Sequence, residues 1–218
     1  MKLKILIASR NRGKIAELHR LLTAYIDGAE LELVSLDDVG FNGEIEENGS
    51  SFAENAMIKA RTAADFSGLI SVGDDSGLSV YALDGEPGIY SARYAGEGHD
   101  DAANNAKLLE KLKGQSCREA AFICAMACVF PEGCAVGGDP IEVTGVCEGE
   151  ILCAPRGEGG FGYDPLFWFD ELGHTFAELS GDEKNSISHR GRAAAALGRE
   201  LSERIAAVGE EAAENSQK

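Results

Sequence analysis

Apolar residues recur along the chain in two rhythms, and each predicts an element. Residues 3 to 8, Leu-Lys-Ile-Leu-Ile-Ala, form a short apolar run of the length of a buried strand. A polar, Gly-containing turn follows, and then Ile15, Leu18, Leu22 and Ile26 stand at helical spacing, so the chain opens as strand, loop, helix. Ser51 and Glu54 have capping-box spacing, and Phe52, Ala56, Ala60 and Ala63 supply the apolar stripe of a second helix. On that helix Asn55 and Lys59 share one face.

Between Leu69 and Leu83 two apolar runs flank Gly73-Asp-Asp-Ser-Gly77, which predicts two strands meeting at a bend that carries carboxylates. A helix is expected from Asp101 to Lys113. Residues 119 to 130 and 141 to 152, rich in Val, Ile, Phe and Cys around Pro131-Glu-Gly, predict a hairpin of long strands. The closing helix is expected from near Ser188, with Leu197, Leu201 and Ile205 at intervals of four. Strands and helices are mixed along the chain, which predicts an α/β fold. The 218 residues fit one domain, expected over 1–208, with 209–218 a flexible acidic tail that has little to bury.

Charge narrows the function. The 37 acidic residues outnumber 20 basic ones, giving a formal charge of −17 and a field that repels nucleic-acid backbones and anionic membranes. Neither polymer is an expected partner. A small anion accompanied by a divalent cation is compatible, because local Lys, Arg and helix N-termini dominate inside a pocket. The six cysteines contain no CxxC pair and read as free thiols, and the chain shows neither a membrane span nor a secretory signal. Those features predict the cytoplasm.

Five segments carry candidate chemistry. The turn Ser9-Arg10-Asn11-Arg12-Gly13-Lys14 hands a strand over to a helix, where free N–H groups and the helix dipole can hold phosphate oxygens. It is equally an ordinary turn with Asn11 as cap, and it is not a Walker A loop, since Ala8 and Ile15 occupy positions needing Gly and Ser or Thr. Asp74 and Asp75 are adjacent acids, of which only one can face inward from a strand. With the acidic cluster Glu44, Glu46 and Glu47 they could hold Mg2+, which takes one or two carboxylates and completes its shell with water and phosphate oxygens.

Gly157-Glu-Gly-Gly-Phe-Gly162 formally matches GxGxxG, but Tyr163-Asp-Pro follows where a helix is required. Phe161, Gly162, Tyr163 and Asp164 could instead offer a ring to a base and a carboxylate near its edge, or simply form an aromatic loop. His189 and Arg190 fall in the first turn of the last helix, where cations oppose the dipole. Lys184 lies five residues earlier.

Taken in order, Ser9-x-Asn11-x-Gly13-Lys14, Glu46-Glu-Asn-Gly-Ser-Ser-Phe-Ala-Glu-Asn-Ala56, Asp74-Asp-Ser-Gly-Leu78, Pro87-Gly-Ile-Tyr-Ser-Ala-Arg93, Gly160-Phe-Gly-Tyr-Asp-Pro165 and Ser188-His-Arg-Gly191 strongly resemble the inosine/xanthosine triphosphate pyrophosphatase family, the HAM1 type. The match spans roughly residues 3 to 200. It implies an elongated mixed β-sheet flanked by helices, two lobes around a nucleotide-binding cleft, a homodimer, and Mg2+-dependent cleavage of ITP, dITP or XTP to the monophosphate and pyrophosphate. By matching position, it implies that Ser9, Arg10, Asn11, Arg12, Gly13, Lys14 and Lys59 hold the triphosphate. Glu46 and Asp75 are the implied metal carboxylates, with Asp75 also the catalytic base and Ser76 a substrate contact. Phe161, Gly162, Tyr163, Asp164, Lys184, His189 and Arg190 are the implied base and ribose side.

Arg10 departs from the pattern, which has a small residue there, and the choice between Glu46 and Glu47 is open by one position. A Maf-type pyrophosphatase and a non-catalytic nucleotide-binding module are the rival readings. The Gly-Phe-Gly-Tyr-Asp and Ser-His-Arg segments argue against the first, and the paired carboxylates against the second.

Overall fold

The computed structural model describes residues 1–215. Seven strands form one mixed sheet in the order β2-β1-β3-β4-β5-β6-β7, flanked by helices, the α/β architecture expected. The described residues divide into two compact units, the first made of 1–75, 125–144 and the stretch from 193 onward, the second of 76–124 and 145–192.

In the first unit β1 (Lys2–Ile7) leads through α1 (Arg12–Tyr25) to β2 (Glu30–Ser35), and α2 (Phe52–Ser67) leads on to β3 (Ile70–Val80). β1 pairs in parallel with β2 on one side and with β3 on the other. Strand order therefore reverses at β1, and the turn at its carboxyl end is a topological switch point, where open parallel sheets bind ligands. The bond from the Ala8 N–H to the Val72 carbonyl (2.8 Å) carries the β1–β3 pairing to the edge of that turn.

Asn11 caps α1 by accepting from the Lys14 N–H (3.1 Å), so the ordinary role of a turn asparagine is realised. Ser51 caps α2 as its spacing predicts (3.2 Å from the Glu54 N–H), while the Glu54 carboxylate reaches back to the Ser50 N–H instead of closing the box on Ser51. The stripe Ala56, Ala60 and Ala63 is fully buried.

The expected bend at Gly73-Asp-Asp-Ser-Gly77 does not exist. β3 runs straight through it as one strand of 11 residues. Gly73 serves close approach: a Cβ there would stand 2.2 Å from the Ala56 carbonyl oxygen and 2.7 Å from the Ala60 nitrogen, so α2 lies against the strand backbone. At Gly77 likewise a Cβ would stand 2.3 Å from the Ser91 hydroxyl oxygen.

The second unit takes the rest of β3, α3 (Asp101–Lys111), α4 (Gly181–Ile187), β5 (Ile141–Ile151) from Gly145 onward, and β6 (Phe167–Phe169) and β7 (His174–Thr175), which continue the sheet from β5 in antiparallel series. β4 (Glu119–Val129) and β5 are the two long strands expected. The core here is aromatic: Phe122, Phe167 and Phe176 pack with centroids 4.6 to 5.6 Å apart.

The last helix, α5 (His189–Asn215), starts where predicted and buries Leu197, Leu201 and Ile205. Its backbone continues through Asn215. Residues 216–218 of the expected tail lie outside the described residues. Among the described residues no helix is long and apolar enough to cross a membrane. All six cysteines are free thiols, and burial pushes the Cys128 thiol up to about 12 and the Cys147 thiol up to about 11, leaving both unreactive at neutral pH.

Candidate functional site

The sequence-predicted residues fall into two clusters, one in each unit, and β3 passes from one unit to the other between Asp75 and Ser76. In the first cluster, alternation along β3 sends the two acids to opposite faces. Asp74 receives the Lys14 ammonium at 3.3 Å. Asp75 receives the Lys59 ammonium at 3.0 Å and the Asn55 amide at 3.2 Å.

Asn55 and Lys59 can converge on one carboxylate because they stand one helical turn apart on the face of α2 that the missing Gly73 side chain lets close on β3. The Asn55 carbonyl oxygen also accepts from the Gly49 N–H (2.9 Å), fastening the acidic loop to the same carboxylate. Lys59 bonds a second acid from that loop, Glu47, at 2.9 Å. Its neighbour Glu46 is exposed.

The electrostatics follow the burial. Asp75 is 8% exposed, and desolvation pushes its carboxyl above the ordinary range against the pull of Lys59; Glu47 adds to the rise and Lys14 opposes it. Burial works against the Lys59 charge, but Asp75, Asp74 and Glu47 together outweigh it and hold the ammonium above the ordinary lysine value.

This donor set fits Mg2+ of the kind that is shared with a substrate. Two carboxylates already meet at one cationic atom, Lys59 Nζ, so they can meet at a metal. Among the described residues no group of three or more His, Cys, Asp and Glu is arranged to hold an ion; Mg2+ ordinarily takes only one or two carboxylates and completes its shell with water and phosphate oxygens.

Two residues of the phosphate turn depart from the expected direction. The Arg10 guanidinium turns to Asp37 (3.3 Å) and to the carbonyls of Phe41 (2.5 Å) and Gly43 (2.8 Å), so its donors serve protein groups. The Ser9 hydroxyl accepts from the Asn11 N–H at 3.2 Å and rigidifies the turn. Asn11, Arg12 and Gly13 are exposed, and Lys14 is partly so, at the start of α1.

The second cluster is built around Asp164, 2% exposed. Its carboxylate accepts from Lys184 Nζ (2.5 Å) and from the Phe161 N–H (2.9 Å), closing the Gly160–Asp164 turn; Gly160 is required there, because a Cβ would lie 2.1 Å from that carboxylate. Phe161 stands out from the turn, 41% exposed, with Lys184 Nζ 4.8 Å and the Arg190 guanidinium 5.8 Å from its ring centre. Arg190 is 1% exposed and donates to the Ser76 hydroxyl at 2.7 Å, and His189 stacks on Phe122 with centroids 4.7 Å apart. A Cβ at Gly191 would lie 1.8 Å from the Asn185 carbonyl, which explains the glycine after Arg190.

Tyr163 is not available to a ligand by its side chain. It packs in the aromatic core with its hydroxyl donated to the Ser91 carbonyl (2.8 Å), and burial raises its pKa. Sequence reasoning missed Asp101 and Asn105, one turn apart on α3. Asp101 accepts from the Gly162 N–H (2.7 Å) and Asn105 donates to the Gly162 carbonyl (2.9 Å), so the two grip both sides of one residue. Their spacing of four was legible, but not their partner.

Comparison with known proteins is decisive about descent. A profile of the Ham1 family matches residues 5–200. The chain belongs to the Ham1 family. This Ham1 chain is 49% identical over 196 residues to a dITP/XTP pyrophosphatase of Geobacter sulfurreducens, covering 89% of this chain and 94% of the relative. It is 47% identical over 204 residues to a dITP/XTP pyrophosphatase of Bacillus anthracis, covering 93% and 96%. Among solved structures, a HAM1 protein from Coxiella burnetii matches with a TM-score of 0.82 at 44% identity, covering 92% of this chain and 99% of that one.

Proposed function

We propose that this protein is a nucleoside-triphosphate pyrophosphatase, a cytoplasmic hydrolase that cleaves abnormal purine nucleoside triphosphates such as dITP, XTP and ITP to the monophosphate and pyrophosphate. The observation that carries the reading is the buried Asp75 carboxylate, flanked by Lys59 and Asn55 and covalently next to Ser76. Binding alone needs no such acid. That the relatives at 47–49% identity are dITP/XTP pyrophosphatases supports the same substrate class.

The turn Ser9–Lys14 at the carboxyl end of β1 offers free N–H groups, the N-terminus of α1 and the Lys14 ammonium to the triphosphate, with Lys59 as a second cation. Asp75 and the Glu46–Glu47 pair supply the carboxylates for Mg2+. When bound, the ion offsets charge on the phosphate oxygens. Asp75 accepts a proton from the attacking water as the water oxygen bonds to the α-phosphorus, the bridging α–β P–O bond breaks, and pyrophosphate leaves with that electron pair. Its raised pKa makes it a stronger base than an ordinary carboxylate. Lys14 and Lys59 neutralise the charge that collects on the departing group.

The purine stacks on the exposed face of Phe161. Arg190 lies behind that ring and His189 precedes it at the start of α5; both are donors, and movement of Phe161 would present Arg190, with its neighbour His189, to a 6-oxo group. Adenine, with a 6-amino donor, would leave them unpaired. The homodimer implied by the resemblance belongs to this proposal and is read from molar mass by light scattering.

Pyrophosphate release from ITP, dITP, XTP, GTP and ATP, with and without Mg2+, tests the whole reading. Turnover of the hypoxanthine and xanthine nucleotides, dependent on Mg2+, is expected. Equal kcat/KM for ATP and ITP would defeat the account of selectivity, and absence of pyrophosphate despite nucleotide binding would defeat the enzyme. Asp75→Asn is expected to lose at least about 10²-fold in kcat, and E46Q against E47Q shows which neighbour the metal requires.

A further inference from the structure

We propose that Arg10 is a positioning residue for the metal-binding segment: its guanidinium straps the chain at Phe41 and Gly43 and so holds Glu46 and Glu47 within reach of Asp75. The inference rests on the functional reading above in one respect only, the naming of those carboxylates as metal ligands.

Position in sequence puts Arg10 in the phosphate turn; geometry gives it other work. Nη2 donates to the carbonyls of Phe41 (2.5 Å) and Gly43 (2.8 Å), and Nε pairs with Asp37 at 3.3 Å. The guanidinium carbon lies 5.6 Å from the centre of the Phe41 ring, and that ring meets Phe66 of α2 edge-on at 5.0 Å. The strapped strip is thereby docked on two sides. Beyond it, residues 44–49 have no regular secondary structure, yet they contain three acids, Glu44, Glu46 and Glu47, whose mutual repulsion favours spreading apart.

The far end of this stretch is fixed as well. Asn55 holds the Gly49 N–H at 2.9 Å and the Asp75 carboxylate at 3.2 Å with the two ends of one amide. The acidic segment is therefore a short span between two anchors, Arg10 at Gly43 and Asn55 at Gly49. Glu47 reaches Lys59, and through it Asp75, from inside that span. Release of either anchor lengthens the free loop and dilutes the carboxylates around the metal position. Arginine is suited to the task because its planar fork bonds two carbonyls and a carboxylate while lying near a ring, and a lysine ammonium cannot do all of these.

The test uses the full chain without nucleotide. Hydrogen exchange over residues 41–49 and the Mn2+ dissociation constant, by electron paramagnetic resonance, are measured for wild type, R10K, R10M, D75N and R20M, the last an exposed arginine on α1. Both Arg10 variants are expected to speed exchange over 41–49 and to weaken Mn2+ roughly three- to tenfold, less than loss of a bond made directly to a ligand. R20M should do neither, and melting curves of R10K and R10M confirm that they fold. Unchanged exchange in R10M, or faster exchange with unchanged Mn2+ affinity, overturns the strap. So does an R10K protein that matches wild type in both measurements, and a parallel steady-state assay in which R10M is defective only in the KM for nucleotide would make Arg10 a phosphate ligand instead. D75N separates the two levels: it should lose Mn2+ while keeping slow exchange at 41–43, and undiminished Mn2+ binding in D75N would remove the metal site itself.

Discussion

Lys59 on α2 and Asp75 on β3 form a buried ion pair at 3.0 Å, with Glu47 sharing the same ammonium at 2.9 Å. Lys59 is the strongest influence holding the Asp75 carboxyl down against a burial that pushes it up. The ionised carboxylate is the active form of a base, so activity is lost as pH falls through a raised pKa, earlier than for an ordinary carboxyl. K59M removes the lowering partner, and the acid limb of its kcat/KM profile should move to higher pH, together with a large loss of rate. A limb that stays in place or moves down would show that Asp75 is not the titrating base.

The contact of α2 with β3 is set by Gly73, whose missing Cβ would fall 2.2 Å from the Ala56 carbonyl. Gly73→Ala must part helix and strand, a strain of about 1–3 kcal/mol. Urea unfolding should register that loss. The variant should also lose activity out of proportion to its stability, since Asn55 and Lys59 move with the helix. Wild-type stability in G73A would mean that the helix can retreat freely.

Phe161 presents an exposed ring in front of Lys184 and Arg190. Stacking on such a ring contributes roughly 1–3 kcal/mol per base, so F161A should raise the KM for ITP by about one order of magnitude while F161Y stays near wild type. Steady-state kinetics on the two variants decides this, and an unchanged KM in F161A would place the base elsewhere.

Asp101 and Asn105 hold the residue after that ring from both sides, at 2.7 and 2.9 Å. Each bond contributes on the order of 1 kcal/mol. D101A and N105A are expected to raise KM for ITP severalfold with kcat largely kept, and their double variant should be less than additive because both grip one residue, Gly162. A fall in kcat alone would point to a role in chemistry.

Much of this organisation was legible in the residues. The i, i+4 spacing of Asn55 and Lys59 and the alternation of Asp74 and Asp75 foretold which side chains could face one another, since both follow from backbone geometry. The Gly73–Gly77 stretch misled because two glycines around two aspartates are the composition of a turn. Here the glycines answer to neighbours distant in sequence, the α2 backbone and Ser91, which no local pattern records. The same applies to Arg10 and Tyr163. Their place in a motif was visible, but Arg10 is held 31 and 33 residues along the chain and Tyr163 faces the core, and only the fold decides such partners.

The absent side chain at Gly73 has an effect on acidity as well as on packing. By letting a helix backbone settle directly on the strand, it sets how deeply the next two carboxylates sit below water and how near the Lys59 nitrogen can come. Basicity at Asp75 thus depends on the main chain as well as on the side chains around it, because the seat of the helix decides where the Lys59 charge can stand.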